Sequence, residues 1–229
     1  MDNLAIASWS SGKDSCFAVY KALNSGYDVR YLLNFISRDS KRGCFHGIEN
    51  KLIQFQAECI GIPLVQKEVT ADMKKYEEEF KEAVVKLKEE GIVNMVFGDI
   101  YLLDHISWVE RVCGEIDINA IEPLWNKNPL NIMNEFIDLG FKAVVVSAQA
   151  EKLDSSFIGK EVTKDLVREF VAKNVCPCGE NGEFHTFVVD GPIFKKRIEI
   201  TKSEPILKEG FWKHWFLDIK EYRVVEKNN

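Results

Sequence analysis

Residues 4–15 read LAIASWSSGKDS, a short apolar run followed by a turn rich in serine. The apolar run is typical of a buried strand in a parallel sheet. After the turn, apolar side chains recur at helical spacing from Phe17 to Leu23, and Ser25 and Gly26 end the pattern. A strand, a turn and a helix in this order bring backbone N–H groups and the positive end of a helix together. We therefore predict an anion-binding loop at residues 10–15.

The alternation of strands and helices continues to about residue 125. Apolar runs predict further strands at 29–36, 62–69, 92–97 and 120–121, and amphipathic helical patterns separate them. Strands that alternate with helices indicate a parallel sheet covered on both faces. The fold class predicted for residues 1–125 is α/β, with a doubly wound, Rossmann-like parallel sheet.

The second half of the chain has a different pattern, which predicts a smaller α+β domain over residues 126–229. Asn128 followed by Pro129 is a helix start, with a capping side chain before a proline at the first helical position. Another helical pattern occupies 163–174. Strands are predicted at 141–148, 186–190, 193–201 and 211–225.

The composition of the chain narrows the classes of protein to which it can belong. The formal net charge is −6 and the isoelectric point is about 5.4, a balance opposite to that of most nucleic-acid binders. The N-terminus lacks the pattern of a signal peptide, and no apolar run approaches the roughly 20 residues that span a bilayer. We expect a cytoplasmic protein without a membrane partner, and nucleic acid is not the expected partner either. The six cysteines are scattered, so no disulfide framework is expected.

The predicted loop carries side chains suited to phosphate. Lys13 offers a positive charge, and Ser10, Ser11 and Ser15 offer hydroxyl donors. Asp14 could orient the loop or help to hold Mg²⁺. The segment is not a Walker loop, because its first glycine position holds a serine and an aspartate follows the lysine directly.

The loop resembles the Ser-Gly-Gly-Lys-Asp-Ser loop of the ATP pyrophosphatases, which split ATP into AMP and pyrophosphate, and it departs from that pattern at Ser11. Two further segments are Phe-Gly-Asp-Ile at 97–100 and Gly-Glu-Asn-Gly-Glu-Phe-His-Thr at 179–186. Together they resemble the diphthine–ammonia ligase family, in its archaeal stand-alone type, over residues 4 to about 193. The resemblance implies an adenine nucleotide alpha hydrolase-like first domain, with ATP and Mg²⁺ as cofactors.

Enzymes of that family convert the carboxylate of diphthine, a modified histidine on translation elongation factor 2, into an amide. The resemblance therefore implies that elongation factor 2 is the protein substrate and that ammonium supplies the nitrogen. Amide formation needs an activated carboxylate, which transfer of AMP from ATP provides. Lys13 and the loop N–H groups are suited to neutralise the pyrophosphate that leaves. Glu183 or His185 could accept the proton of the attacking ammonia.

These considerations assign every candidate site residue. The predicted catalytic residues are Lys13, Asp99, Glu183 and His185. The ATP site is assigned to Ala7, Ser8, Ser10, Ser11, Gly12, Lys13, Asp14, Ser15, Phe35, Ile36, His46, Gly98 and Asp99. The acceptor substrate is assigned to Glu180, Asn181, Gly182, Glu183 and Thr186, and Mg²⁺ to Asp14 and Asp99.

Other functions stay open on the sequence. A tRNA-modifying ligase of the same superfamily could use the same loop, with Cys176 or Cys178 as a sulfur relay. A regulator that binds ATP or AMP without chemistry is a third possibility. A lone Cys-x-Cys near His185 falls short of the four ligands of a structural zinc site. A homodimer is compatible with the sequence.

Overall fold

The computed structural model describes residues 3–38, 47–70, 72–209 and 213–227. His46 and the start of the strand predicted at 211–225 lie outside these residues. In the first half of the chain the elements are β1 (Leu4–Ser8), α1 (Lys13–Asn24), β2 (Asp28–Ser37), α2 (Asn50–Ile60), β3 (Leu64–Val69), α3 (Met73–Lys88), β4 (Asn94–Val96), α4 (Leu103–Glu115) and β5 (Asn119–Ile121). In the second half they are α5 (Pro129–Asp138), β6 (Lys142–Gln149), a 3₁₀ turn (Ser155–Phe157), α6 (Lys164–Ala172), β7 (Phe184–Asp190), β8 (Lys196–Glu209) and β9 (Lys213–Glu226).

The first sheet confirms the predicted α/β class. Its strands run parallel in the order β3-β2-β1-β4-β5. From β1 the chain moves outward to β3 and then returns to β4 on the other side of β1. In such sheets ligands bind in the crevice at the carboxyl ends of the strands where the order reverses. The fold therefore points to the ends of β1 and β4.

Helices cover both faces of this sheet. On β1, Ala5 and Ala7 pack in one apolar cluster with buried residues of α1 and α2. Ile6, between them, packs in a second cluster with buried residues of α3 and α4. Neighbouring side chains of a strand point to opposite faces, so the two clusters lie on the two sides of the sheet. This is the doubly wound arrangement that the sequence predicts.

The second sheet is antiparallel, in the order β7-β6-β9-β8. The strand predicted at 193–201 is wrong in extent, because β8 begins at Lys196 and runs on to Glu209. The polar residues 202–204 and Pro205 interrupt the apolar pattern within this strand, which is why the pattern predicts an earlier end. β8 lies at the edge of its sheet, where a proline can be accommodated because one side of the strand makes no ladder hydrogen bonds.

The two sheets are joined by a continuous apolar core. Phe17 of α1 makes edge-to-face contacts with Phe136 of α5 and Phe141, with ring centroids 5.9 Å apart in both pairs. Phe136 and Phe141 stack at 4.7 Å. The division of the chain after residue 125 stays a prediction. In the part of the chain that the structure describes, no helix is both long and apolar enough to span a membrane.

Candidate active site

The candidate site lies where β1 and β4 end side by side. Ala7 of β1 pairs with Val96 of β4, so the loop after β1 and residues 97–100 leave the sheet at the same edge. The segment 176–186, which leads into β7, reaches the same place from the second sheet. The fold thus brings together the three motifs that are far apart in the sequence.

The phosphate loop has a left-handed residue at its centre. Ser11 has φ 71°, a region that glycine adopts freely and other residues seldom adopt. α1 begins directly afterwards, with Gly12 as the residue before its first turn. The Ser15 hydroxyl donates to the Gly12 carbonyl oxygen at 3.1 Å and lies 3.1 Å from the Ser10 hydroxyl. The departure from glycine at position 11 therefore preserves a tight turn.

Gly98 lies directly against this turn. A Cβ atom at Gly98 would be 2.8 Å from the Asp14 carbonyl carbon and 2.9 Å from the Ser15 backbone nitrogen. Only a residue without a side chain allows this close approach, because a Cβ atom would collide with the backbone of the first turn of α1. The first N–H groups of a helix have no acceptor within the helix, so the start of α1 is suited to an anion.

We expect Gly98→Ala to weaken ATP binding by at least tenfold, because the added methyl group would collide with the backbone of residues 14 and 15 and displace the first turn of α1. Isothermal titration with Mg-ATP measures the effect. Gly114→Ala is the matched control, since a Cβ there meets no atom within 4 Å. Equal affinity in the Gly98 variant and the wild type would show that the phosphates bind elsewhere.

The polar side chains of the loop are suited to the phosphates of a nucleoside triphosphate and to a divalent cation. Ser11 Oγ and Asp14 Oδ1 are buried and have no hydrogen-bond partner among the described residues. Buried polar atoms are normally paired, so these two are suited to a bound ligand. Asp14 and Asp99 supply the carboxylate oxygens that Mg²⁺ prefers. The assignment of Asp14 and Asp99 to Mg²⁺ stays a prediction.

Lys13 is held inside the protein. Its side chain is 4% exposed, and its ammonium donates to Asp14 Oδ2 at 2.8 Å and to the Cys178 carbonyl oxygen. It also lies 5.2 Å from the centre of the Phe184 ring. Burial by itself would lower the pKa of Lys13, but the neighbouring Asp14, Cys178 and Glu180 outweigh it and raise the pKa. The lysine stays charged, and it links the phosphate loop to segment 176–186.

Asp99 lies just after β4, and its carboxylate has a hydrogen-bond partner that the sequence did not indicate. His105 Nδ1, in the first turn of α4, lies 3.1 Å from Asp99 Oδ1. This hydrogen bond is the main reason why the pKa of His105 is raised. The Asp99 side chain is 21% exposed, which leaves it open to a ligand.

Glu183 organises segment 176–186. Its carboxylate accepts from the Cys176 N–H at 3.1 Å, the Asn181 N–H at 3.0 Å and the Asn181 side-chain amide at 3.1 Å. Both carboxylate oxygens are therefore engaged within the segment, and Glu183 is only 6% exposed. A role in holding the loop follows directly from this geometry.

Glu180 connects the segment to the first sheet. Its Oε1 accepts from the Ile100 N–H at 2.9 Å, directly after Asp99. Burial raises the pKa of Glu180 to about 7, and the charges of Asp14 and Asp99 add to the increase. Acids with pKa values near neutrality are common where protons are transferred.

Glu122, at the end of β5, is a second unusual acid near the site. Burial raises its pKa to about 7, with further contributions from Asp99 and Glu110. Its Oε1 is buried and has no partner within the described ranges. Glu122 is not among the residues that the sequence assigns to the site, since it stands in the short segment Glu-Pro-Leu-Trp at 122–125.

The other residues assigned to the acceptor lie on or beside β7. The Thr186 hydroxyl accepts from the Lys13 N–H at 3.0 Å, so Thr186 supports the phosphate loop. The Asn181 amide donates to the Tyr101 hydroxyl at 3.0 Å, and the Gly182 carbonyl accepts from the Gln149 amide at 3.0 Å. His185 is partly exposed on β7.

Four residues assigned to the ATP site, at the ends of β1 and β2, differ in what they expose. Ala7 and Ser8 end β1 beside the loop, where their backbone can meet a nucleotide. Phe35 and Ile36 are 8% and 5% exposed, and Phe35 packs on Tyr76 in the core. Any contact from that pair must therefore come from backbone atoms. His46 lies outside the described residues.

Cleft size alone does not locate the site. A cleft of about 520 Å³ is lined by Leu4, Arg30 and Ile62, among others, at the opposite, amino-terminal end of the parallel strands. Ligands of open parallel sheets bind at the carboxyl ends. We therefore place the site at the phosphate loop, where the unpaired buried atoms and the charged groups converge.

The parallel sheet, the phosphate loop and the carboxylates beside it define an α/β protein of the nucleotide-handling, phosphate-loop class. Comparison with known families agrees at a finer level. The family described as "Diphthamide synthase N-terminal domain" matches residues 3–120, and "Diphthamide synthase C-terminal domain" matches residues 128–225. The chain belongs to the diphthamide synthase family.

Curated relatives carry one name, diphthine–ammonia ligase. The protein from Schizosaccharomyces pombe is 27% identical over 86% of this chain and 36% of its own length. The proteins from Danio rerio and Homo sapiens are 26% and 25% identical, over 86% and 83% of their lengths. The chain thus spans about a third of the yeast relative and most of the vertebrate ones. These comparisons support the interpretation that this chain is a ligase of diphthamide synthesis.

Among solved structures, one match is described as a "predicted subunit of tRNA methyltransferase" from Methanocaldococcus jannaschii. It is 15% identical, with a TM-score of 0.44, and the alignment covers 82% of this chain and 97% of that one.

Proposed function

We propose that this chain converts the carboxylate of diphthine on translation elongation factor 2 into an amide, with ATP and ammonium as co-substrates. The observation that carries the proposal is the joining of the phosphate loop to segment 176–186. Lys13 donates to the Cys178 carbonyl, and Ile100 donates to Glu180. A nucleotide site built against a second, acidic segment is suited to a reaction between ATP and another substrate.

In the first step a carboxylate oxygen of diphthine attacks the α-phosphorus of ATP. The bond from that phosphorus to the bridging oxygen breaks, so pyrophosphate leaves and an acyl-adenylate remains. The N–H groups at the start of α1 meet the negative charge of the phosphates, and Lys13 lowers the cost of bringing that charge beside Asp14. Mg²⁺, held by Asp14 and Asp99, would supply further neutralisation.

In the second step ammonia attacks the activated carbonyl carbon, and the bond to AMP breaks. Ammonium must lose protons for this attack and for the amide to form. Glu180 is better placed to accept them than Glu183, because one oxygen of Glu180 bonds a single N–H whereas Glu183 is fully engaged in its loop. With a pKa of about 7, Glu180 is ionised at pH values above neutrality and can then take up a proton. His185 remains the other predicted acceptor.

We expect Glu180→Gln to lower amide formation about a hundredfold, the effect usual for loss of a positioned proton acceptor. AMP formation should fall less, because the adenylate still forms and is then lost to water. The ratio of amide to AMP, from mass spectrometry and chromatography, measures this uncoupling. Glu169→Gln, an exposed acid on α6, is the control. A Glu180 variant with an unchanged ratio would remove Glu180 from the ammonia step.

The proposal as a whole is tested by AMP and pyrophosphate release from ATP. Release should require diphthine-bearing elongation factor 2, and in the presence of ammonium it should be matched by conversion of the carboxylate to the amide. Release that depends on tRNA instead would favour an RNA-modifying ligase. ATP binding without AMP from either acceptor would favour a nucleotide-binding regulator.

A further inference from the structure

Gln56 of α2 is fully buried, and its side-chain amide is engaged on every side. Its Oε1 accepts from Trp9 Nε1 at 3.1 Å. Its Nε2 donates to the Ser11 carbonyl at 3.0 Å and to the Val188 carbonyl at 2.6 Å. An indole N–H can only donate, so Trp9 fixes which end of the amide faces the two carbonyls. Through these three hydrogen bonds, one buried side chain holds three distant segments of the chain in fixed positions.

The residue that Gln56 holds is the unusual one in the phosphate loop. Ser11 is buried, and its φ of 71° is disfavoured for any residue with a side chain. Such a conformation persists only where the surroundings enforce it. The Ser11 carbonyl also accepts from the Val188 N–H at 3.1 Å. Two donors on one carbonyl fix the peptide plane that leads into Gly12.

That peptide plane decides where the next N–H groups point. If Ser11 relaxed to a negative φ, the chain would enter α1 by a different path and the N–H groups at the helix start would turn away from the crevice. Gln56 itself lies on α2, and its three contacts run to the end of β1, the loop and β7. It therefore acts from beneath the loop and not from the ligand side.

We propose that Gln56 is the positioning residue for ATP, which holds Ser11 in the left-handed conformation that the phosphate loop needs. This inference rests on the proposed ATP site. Gln56 does not touch the nucleotide, so its effect passes through Ser11. A glycine at position 11 would adopt the same conformation without help. Loss of Gln56 should therefore be tolerated when residue 11 is glycine.

The test is a cycle of two substitutions, Gln56→Met and Ser11→Gly, made singly and together. Methionine keeps the length of the side chain and removes the amide. Gln54→Met is the control, an exposed glutamine on the same helix. Mg-ATP affinity is measured by calorimetry without acceptor, and folding is followed by thermal unfolding.

We expect Gln56→Met to bind Mg-ATP roughly tenfold more weakly, the factor that the left-handed penalty of a non-glycine residue implies. The double variant should bind within about twofold of Ser11→Gly alone, as glycine carries no such penalty. General damage to the fold would lower the unfolding temperature, and Ser11→Gly would not restore binding. Should Gln56→Met fail to fold, Trp9→Phe, which removes the donor that orients the amide, replaces it in the same cycle.

The outcomes separate the two proposals. A wild-type protein that binds no Mg-ATP would overturn the proposed function and this inference with it. Wild-type binding together with unchanged affinity in Gln56→Met, or a loss that glycine does not restore, would overturn only the role of Gln56. Recovery of affinity in the double variant supports that role.

Discussion

Lys13→Met is expected to slow AMP formation by a hundredfold or more. The substitution leaves the Asp14 carboxylate without its cation, next to the place where phosphate charge collects, and it frees the Cys178 carbonyl from its donor. Loss of one preorganised electrostatic group in an active site commonly has an effect of this size. AMP release in the presence of ammonium and diphthine-bearing elongation factor 2 is the measurement.

Lys21→Met is the matched control for this prediction. Lys21 lies on the same helix, and its ammonium pairs with Glu135 at the surface. Its loss should leave AMP formation within about twofold of wild type, since exposed ion pairs contribute little. A Lys13 variant as fast as the control would place the charge of Lys13 outside the reaction and limit it to support of segment 176–186.

Asp99→Asn is expected to lower AMP formation by about a hundredfold, with the deficit only partly relieved at high Mg²⁺. The amide keeps the shape of the side chain but removes the charge that attracts a divalent cation. The change should also return the pKa of His105 towards its ordinary value, because the bond to Asp99 is the main cause of the increase. Nuclear magnetic resonance titration of His105 confirms that the intended contact was removed.

Asp104→Asn provides the comparison for Asp99. Asp104 is exposed in the first turn of α4, a short distance along the chain from Asp99. The control should retain normal activity and Mg²⁺ dependence. If the Asp99 variant behaves in the same way while its His105 pKa has fallen, then Asp99 orients the histidine and takes no part in cation binding.

The local pattern of the sequence was sufficient to predict the parallel sheet and the strand, turn and helix around residues 10–15. The strand, turn and helix at residues 4–24 are predicted by the spacing of their apolar residues. Gly98 comes directly after the apolar run at 92–97, which predicts β4. These features depend on neighbouring residues. The second-half helix start at Asn128 was predictable for the same reason, since its side chain caps Leu130 and Asn131.

Contacts between distant parts of the chain were not predictable in this way. In the sequence, Gln56 is one of several polar residues on an amphipathic helix, yet its side chain donates hydrogen bonds to the Ser11 and Val188 carbonyls. The pairing of His105 with Asp99 depends on how α4 leaves the sheet. The direction of the Lys13 side chain is set by its contact with segment 176–186, and its burial could not be predicted from the loop motif alone.

Transfer of heavy oxygen from diphthine to AMP is the most direct test of the central claim that the carboxylate is activated by adenylation. Elongation factor 2 whose diphthine carboxylate carries the label is incubated with the enzyme, ATP and ammonium, and the products are analysed by mass spectrometry. Attack of the carboxylate on the α-phosphorus predicts one labelled oxygen in AMP for each amide formed. Label that appears in pyrophosphate or inorganic phosphate, with unlabelled AMP, would contradict the account.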